Sequence, residues 1–336
     1  MNITIKSPLD MHLHLRDGDM LKVVAPLSAK SFAGAVIMPN LVPPVDTKEA
    51  VVSYKNRIEE AIGDSNFKTY MTLFFKPTYT KEFLESVRDD ITAIKLYPAG
   101  ITTNSEGGVS GFEIDDLRET LNAMSELNIP LCIHGETNGF VMDREAEFVP
   151  VYEKLASNFP NLKIIMEHIT TKESVEALDK FENLYATITL HHLIITLDDV
   201  AGGMLEPHLF CKPIAKRPED REALLKVALE AHPKVMFGSD SAPHPQDAKE
   251  SSHCSAGVFT SPIAIERLAQ LFEDNNAPIE NLQKFLSDNA QAIYNINPIS
   301  KEVILEKRDF IVPSRYGKVV PMYADGKISY SIKSIK

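Results

Sequence analysis

The chain has 336 residues, 44% of them hydrophobic, and a formal net charge of -12 with no Lys/Arg cluster; this excludes nucleic acid as a general partner and leaves a small anionic substrate open, because beyond a Debye length of ~8 Å the local charge of a pocket decides. MNITIKSPLD has no apolar h-region and no apolar run approaches the ~18 residues of a membrane span, so we expect a cytoplasmic protein with neither signal peptide nor membrane contact. Cys132, Cys211 and Cys254 are far apart and in no CxxC pattern, which argues against a disulfide framework and for a reducing compartment.

Short β-rich apolar runs alternate with stretches of helical period. The strands predicted in chain order are Leu9–Leu15, Ala33–Met38, Tyr70–Phe75, Ala93–Tyr97, Pro130–His134, Lys163–His168, Tyr185–Leu190 and Val235–Asp240. The clearest helical segments between them are Thr47–Ile62 and Asp115–Leu127. Thr47, and Thr171 through Ser174 ahead of Val175, read as helix starts. Repeated βα units imply an α/β fold, a parallel (β/α)8 TIM barrel. We expect it to occupy residues 1–300. An open doubly wound sheet is the alternative, but no GxGxxG follows the first strand. The tail Glu302–Lys336 alternates in KISYSIKSI. We expect a short strand or hairpin there, and residues 301–336 as an extension packed on the barrel rather than a second domain.

The strongest chemical signal is Asp10-Met11-His12-Leu13-His14-Leu15-Arg16. On a strand, alternation turns His12, His14 and Arg16 one way and Met11, Leu13 and Leu15 the other. Two imidazoles ~7 Å apart at Cα can converge on one metal ion. A lone pair of histidines on an amphipathic strand is also compatible with plain packing. Other ligand types stand at the ends of other predicted strands, however: Lys95, His134, His168 and Asp240. In a barrel these ends meet at one face. Lys95 lies in an apolar run, where burial lowers its pKa. A neutral amine can take up carbon dioxide to give a carbamate with two donor oxygens; the alternative is an ion pair with a carboxylate such as Asp240.

Taken together, these residues resemble the amidohydrolase superfamily and, within it, the shorter-chain type II dihydroorotases, over roughly residues 8–290. The stretches that carry the resemblance are MHLHLRDGDML, VIMPNLVPP, IKLYPAGITTNS, LCIHGE, MEHITT, HHL, FCKPIAKR, and GSDSAPH followed by KESS and CSAG. HxH alone points only to the superfamily; LYPAGITTNS, SDSAPH and KESS narrow it to this branch. The resemblance implies two Zn²⁺ per subunit. His12, His14 and Asp240 would bind the more buried ion and His134 and His168 the other, with carboxylated Lys95 (N6-carboxylysine) and a hydroxide bridging both. It implies interconversion of carbamoyl-aspartate and dihydroorotate in pyrimidine biosynthesis, with Asp240 as proton shuttle. Arg16, Asn40 and His244 would grip the substrate carboxylate. Thr102 and Thr103 would lie on a loop that closes over the site, with Ala256 and the backbone of Lys212 completing the pocket. Many relatives carry leucine where Lys212 stands. A homodimer is implied too. The charge of two dications against carbamate, Asp240 and hydroxide leaves a net positive site, which suits an anionic substrate.

The remaining candidates read more plainly. Arg16 could instead pair with Asp17 or Asp19. His191 and His192, taken as neighbours on a strand, point to opposite faces, and neither is read as a ligand. His208, His232 and His253 read as structural or exposed, and nothing marks Cys254 as a nucleophile. Gly107-Gly108 either eases loop movement or is a plain turn. Hydantoinase- and allantoinase-like enzymes carry a β-rich stretch before HxH, and here HxH begins at residue 12. A mononuclear deaminase-like site would not need Lys95. A phosphotriesterase-like esterase would not need Arg16 and Asn40. An inactive scaffold would not need the whole ligand set.

Overall fold

In the computed structural model, which describes residues 2–336, the expected strands form one eight-stranded parallel sheet in chain order. They are β1 (Leu9–Leu13), β2 (Gly34–Ile37), β3 (Lys68–Phe74), β4 (Ala93–Leu96), β5 (Leu131–Ile133), β6 (Ile164–Met166), β7 (Leu184–Ile188) and β8 (Val235–Phe237). Every strand stops one to three residues before the end of its apolar run. His14, His134, His168 and Asp240 therefore stand just beyond the ladder, on the loops. The backbone explains part of this. Arg16, His168 and Asp240 have left-handed φ values of 57°, 40° and 42°, which no strand accommodates. Strained φ at non-glycine residues collects where function over-determines the geometry.

The seam between β1 and β8 closes the barrel. The amide of Asp240 donates to the carbonyl of His12 (2.8 Å), that of His14 to Ser241 (3.3 Å), and Leu13 bridges Ser241. Asp10 locks the same seam with its side chain. Its carboxylate accepts from the amide (2.7 Å) and hydroxyl (2.6 Å) of Ser239.

Parallel strands bury both faces. Inside the barrel, Met11, Val36, Tyr70, Cys132, Ile165 and Met236 form a floor plugged by Ile293 and Tyr294 of the helix Asn289–Tyr294. Outside, a larger cluster packs the other strand faces against the helices. The register of β1 against β2 shifts between Asp10 and Leu13. This irregularity corrects the simple alternation: Met11 fills the floor and does not share a face with Leu13 and Leu15, while His12 still reaches the mouth.

Helix Lys48–Ile62 starts where expected, with the Thr47 hydroxyl accepting from the amide of Ala50, and Thr171 caps Lys172–Ala177 in the same way. Helix Ile114–Glu126 agrees with Asp115–Leu127 to one residue. The tail supplies more strand than expected. Glu302–Glu306 pairs with Ser331–Ile335 and also with Asn2–Lys6, a strand the sequence reading did not assign. Its five residues bury only Ile3 and Ile5, a pattern too short to stand out. No helix among the described residues is long and apolar enough to cross a membrane.

Helix Ala264–Asp274 carries a buried carboxyl, Glu266, which burial pushes up to about 7 against smaller pulls from its own backbone and Lys30. A raised acid contributes its full stability below its ordinary value of 4.5 and loses it as pH rises through the folded value. The loss is on the order of 3 kcal/mol. Glu266→Gln removes this titration. Its stability relative to the unsubstituted chain is expected to climb between pH 4.5 and about 7 and then level off. Denaturant midpoints across that range check this; a difference independent of pH would contradict it.

Candidate metal centre

β1 delivers His12 and His14, and the loop after β8 delivers Asp240. His14 Nε2 lies 3.1 Å and His12 Nε2 3.6 Å from Asp240 Oδ1, and all three residues are buried. Ligands ~2.0–2.1 Å from a tetrahedral ion stand ~3.3 Å from each other, so this triple fits one zinc-sized cation. The room comes partly from Gly238. A Cβ there would approach the Cβ atoms of His12 and Thr187 to 2.9 Å.

A second donor pair adjoins the first. His134 Nδ1 lies 3.2 Å from His168 Nε2, the same ligand-to-ligand spacing. The rings of His14, His12, His168 and His134 run in a chain with centroids 5.3, 4.8 and 4.8 Å apart. Lys95, on the inner face of β4, reaches the same space. Its side chain is fully buried and its Nζ has no hydrogen-bond partner among the described residues, so the alternative ion pair with Asp240 does not form. Burial lowers its pKa, and Glu167, Cys132 and Asp240 pull it back only in part. A buried, unpaired amine of lowered basicity thus stands beside four imidazoles and a carboxylate, a set of groups that could hold metal ions.

Carboxylates behind the histidines orient the rings, and sequence reasoning missed them. Glu167 accepts from His12 Nδ1 (2.7 Å) and from Thr187 Oγ1 (2.6 Å). Burial would raise its carboxyl, but His12, Lys95 and these hydrogen bonds outweigh that and hold it at about 2. Glu136 accepts from His134 Nε2 (2.8 Å), leaving Nδ1 to face His168. Such partners fix the tautomer of a ligating histidine. The available signal was an acid near a candidate histidine in MEH and in HGE.

Beside the donors is a narrow cavity, lined also by Arg16, Asn40, Thr102, Thr103, Lys212 and Ala256. Arg16 does not pair with Asp17, which is held by Arg57 instead. The Arg16 guanidinium donates through Nε to the Pro243 carbonyl and through Nη2 to His244 Nε2, both at 3.0 Å, leaving its other donors for the cavity. His244 does not line the cavity; it stands behind Arg16. Burial, then Arg16 and Lys249, push its imidazole down to about 3, so it is a neutral acceptor. Asn40 Nδ2 donates to Thr103 O and Asn104 Nδ2 to Asn40 O, both at 3.0 Å, so the loop lies against the site. Lys212 Nζ donates to Ile101 O (2.9 Å), a tie that a leucine could not make. Gly108 anchors that loop and does not loosen it: a Cβ there would meet the Tyr97 carbonyl oxygen at 2.3 Å. Lys249 donates to the carbonyls of Phe210, Ser255 and Gly257 at 2.8–2.9 Å, pinning the segment that brings in Ala256.

His191 and His192 are not strand neighbours with opposed side chains. β7 ends at Ile188, both lie in the turn that follows, and their ring centroids are 4.3 Å apart.

The family profile described as Amidohydrolase matches residues 56–296. A protein of Helicobacter hepaticus named dihydroorotase is 43% identical over 98% of both chains. The crystal structure of dihydroorotase from Campylobacter jejuni superposes with a TM-score of 0.95 at 57% identity, covering 99% of this chain and 98% of that one. Dihydroorotase from Saccharomyces cerevisiae in complex with 5-fluoroorotic acid does so with 0.93 at 34%, again over 99% and 98%.

Proposed function

The chain belongs to the dihydroorotase branch of the amidohydrolase family, and we propose that it interconverts dihydroorotate and N-carbamoyl-aspartate at the barrel mouth with two Zn²⁺ held by six of its residues. The observation that carries this reading is the convergence of five donors from four strand ends around the unpaired amine of Lys95. His12, His14 and Asp240 would hold one ion, and His134 and His168 the other. Lys95 Nζ could add to carbon dioxide, forming an N–C bond as a C=O π bond opens and losing a proton to solvent, and the resulting carbamate would supply two anionic donor oxygens. When bound, the ions lower the pKa of water toward ~7 and polarise the carbonyl under attack.

The remaining chemistry belongs to the chain. Asp240 takes the proton of the attacking water and passes it to the ring nitrogen as the amide C–N bond breaks; in ring closure the order reverses. Arg16 and Asn40 hold the substrate carboxylate, with a guanidinium fork suited to bidentate contact. His244 acts through Arg16 by accepting its Nη2 proton. Thr102 and Thr103 cover the bound substrate, and Ala256 and the backbone of Lys212 bound it on the far side. A homodimer and a cytoplasmic location belong to the same reading and rest on family membership.

The direct experiment is incubation of the purified protein with dihydroorotate while the loss of the ring is followed, and with carbamoyl-aspartate at lower pH for its formation. Turnover of both, abolished by a chelator and restored by zinc, is expected. Absence of turnover in metal-replete protein would overturn the reading. The Lys212 tie gives a further expected result. Lys212→Met removes one hydrogen bond holding the loop, about 1 kcal/mol or roughly a fivefold rise in the Michaelis constant. Metal content should not change. An unchanged Michaelis constant would show that the tie does not steady the loop.

A further inference from the structure

Behind the mouth lies a second group of metal-type donors that the reaction does not use. His191, His192 and Cys211 are each at most 2% exposed, and each offers a ligand atom within 4.8 Å of the others. His192 Nε2 is 3.5 Å from Cys211 Sγ. Both also face the carbonyl oxygen of Pro213, at 3.0 Å from Nε2 and 3.2 Å from Sγ. Around a tetrahedral zinc with ~2.0–2.1 Å bonds to nitrogen and ~2.3 Å to sulfur, the nitrogen–sulfur edge is ~3.5 Å. The nitrogen–sulfur pair already has that spacing. The edges to oxygen need to open by only a few tenths of an ångström.

His191 supplies the independent sign. Its ring is fully buried, yet neither Nδ1 nor Nε2 has a hydrogen-bond partner among the described residues. An unsatisfied buried polar group costs about 1–3 kcal/mol, so packing alone gives no reason for a histidine here. His192 is oriented from behind, as ligating histidines are. Thr189 Oγ1 lies 2.9 Å from its Nδ1 and accepts from its backbone amide at 3.0 Å. Imidazole and thiolate together select zinc over magnesium or calcium.

We propose that His191, His192 and Cys211 hold a Zn²⁺ ion separate from the pair at the mouth, with the Pro213 carbonyl oxygen as fourth donor. On binding, Cys211 releases its thiol proton to solvent. The proton of His192 moves to Nδ1, where it is donated to Thr189 Oγ1. Each ligand lone pair is then directed at the ion, and one proton is lost overall. The ion would tie the turn after β7 to the segment Cys211–Pro213, which places Lys212 on the wall of the substrate cavity. It is a brace for that wall, not a participant in the chemistry.

The test uses sulfur, which the mouth ligands lack. Full-length protein produced with Co²⁺ in place of zinc should show a near-ultraviolet thiolate-to-cobalt charge-transfer band. That band is expected to vanish in Cys211→Ser, with loss of about one metal equivalent, and to persist in Cys254→Ser. The visible absorption of cobalt at the mouth should survive in both. If Cys211→Ser does not fold, His191→Gln, which keeps the thiol, should lower metal content by the same amount. A wild-type protein with no thiolate band, or a band that follows Cys254 instead, would overturn the proposal. Neither result bears on whether dihydroorotate is turned over, so failure here and failure of the catalytic reading are separable.

Discussion

Asp240→Asn is expected to leave a folded protein whose turnover of carbamoyl-aspartate has fallen by about 10²–10⁴-fold, the range lost when a positioned acid–base group is removed. The fold should persist because the part of Asp240 that closes the barrel is its backbone amide, donating to the His12 carbonyl, and asparagine keeps it. The neighbouring Asp10–Ser239 lock is untouched. What asparagine loses is the capacity to take a proton. Burial pushes the Asp240 carboxyl up, while His12, His192, His134 and Lys95 pull it back, so its basicity is governed by the groups packed around it. A carboxylate in that position can collect a proton and surrender it; a carboxamide cannot. Steady-state rates with circular dichroism on the same samples separate the two contributions. Activity surviving the substitution would remove Asp240 from the proton path.

Lys95→Ala should cost both metal and activity. The carbamate is proposed to neutralise and span two cations, and charge stabilisation of that kind is worth several kcal/mol, about 10³-fold in rate. Alanine leaves a fully buried gap next to Cys132, its register partner on β5. The gap is shaped for a short aliphatic chain, and a small carboxylic acid can enter it and offer two oxygens where the carbamate stood. Added acetate or propionate should therefore restore part of the metal content and part of the rate, in a saturable manner. Full metal retention in the variant would count against a bridging role. Metal loss with no rescue would indicate that Lys95 supports the site through packing.

Periodicity made much of this architecture legible. HxH in a short apolar run pointed to His12 and His14. The rule that barrel strands present chemistry at their C-terminal ends pointed to His134, His168 and Asp240. Periodicity reports the face of a residue, however, and not where the ladder stops. The left-handed turns at Arg16, His168 and Asp240 carry no glycine to announce them. The β1 irregularity that sends Met11 into the barrel floor is likewise invisible in an alternating string. The run Tyr185–Leu190 reads as strand and His191 and His192 as its neighbours on opposite faces, but the chain turns after Ile188, and the two histidines end side by side. Asp10, Glu136 and Glu167 were missed because their work is done through another residue, across the barrel or along a loop. His244 was legible as a neighbour of Asp240, but its place behind Arg16 depends on a contact across 228 residues of chain.

Anomalous diffraction at the zinc edge from crystals of the zinc-loaded protein decides whether a pair of cations shares the barrel mouth. Two peaks are expected there, one among His12, His14 and Asp240 and one between His134 and His168, with density for a carboxylate extending from Lys95 Nζ between them. A single peak at the mouth, or none, with Lys95 ending in a bare amine, would contradict that arrangement.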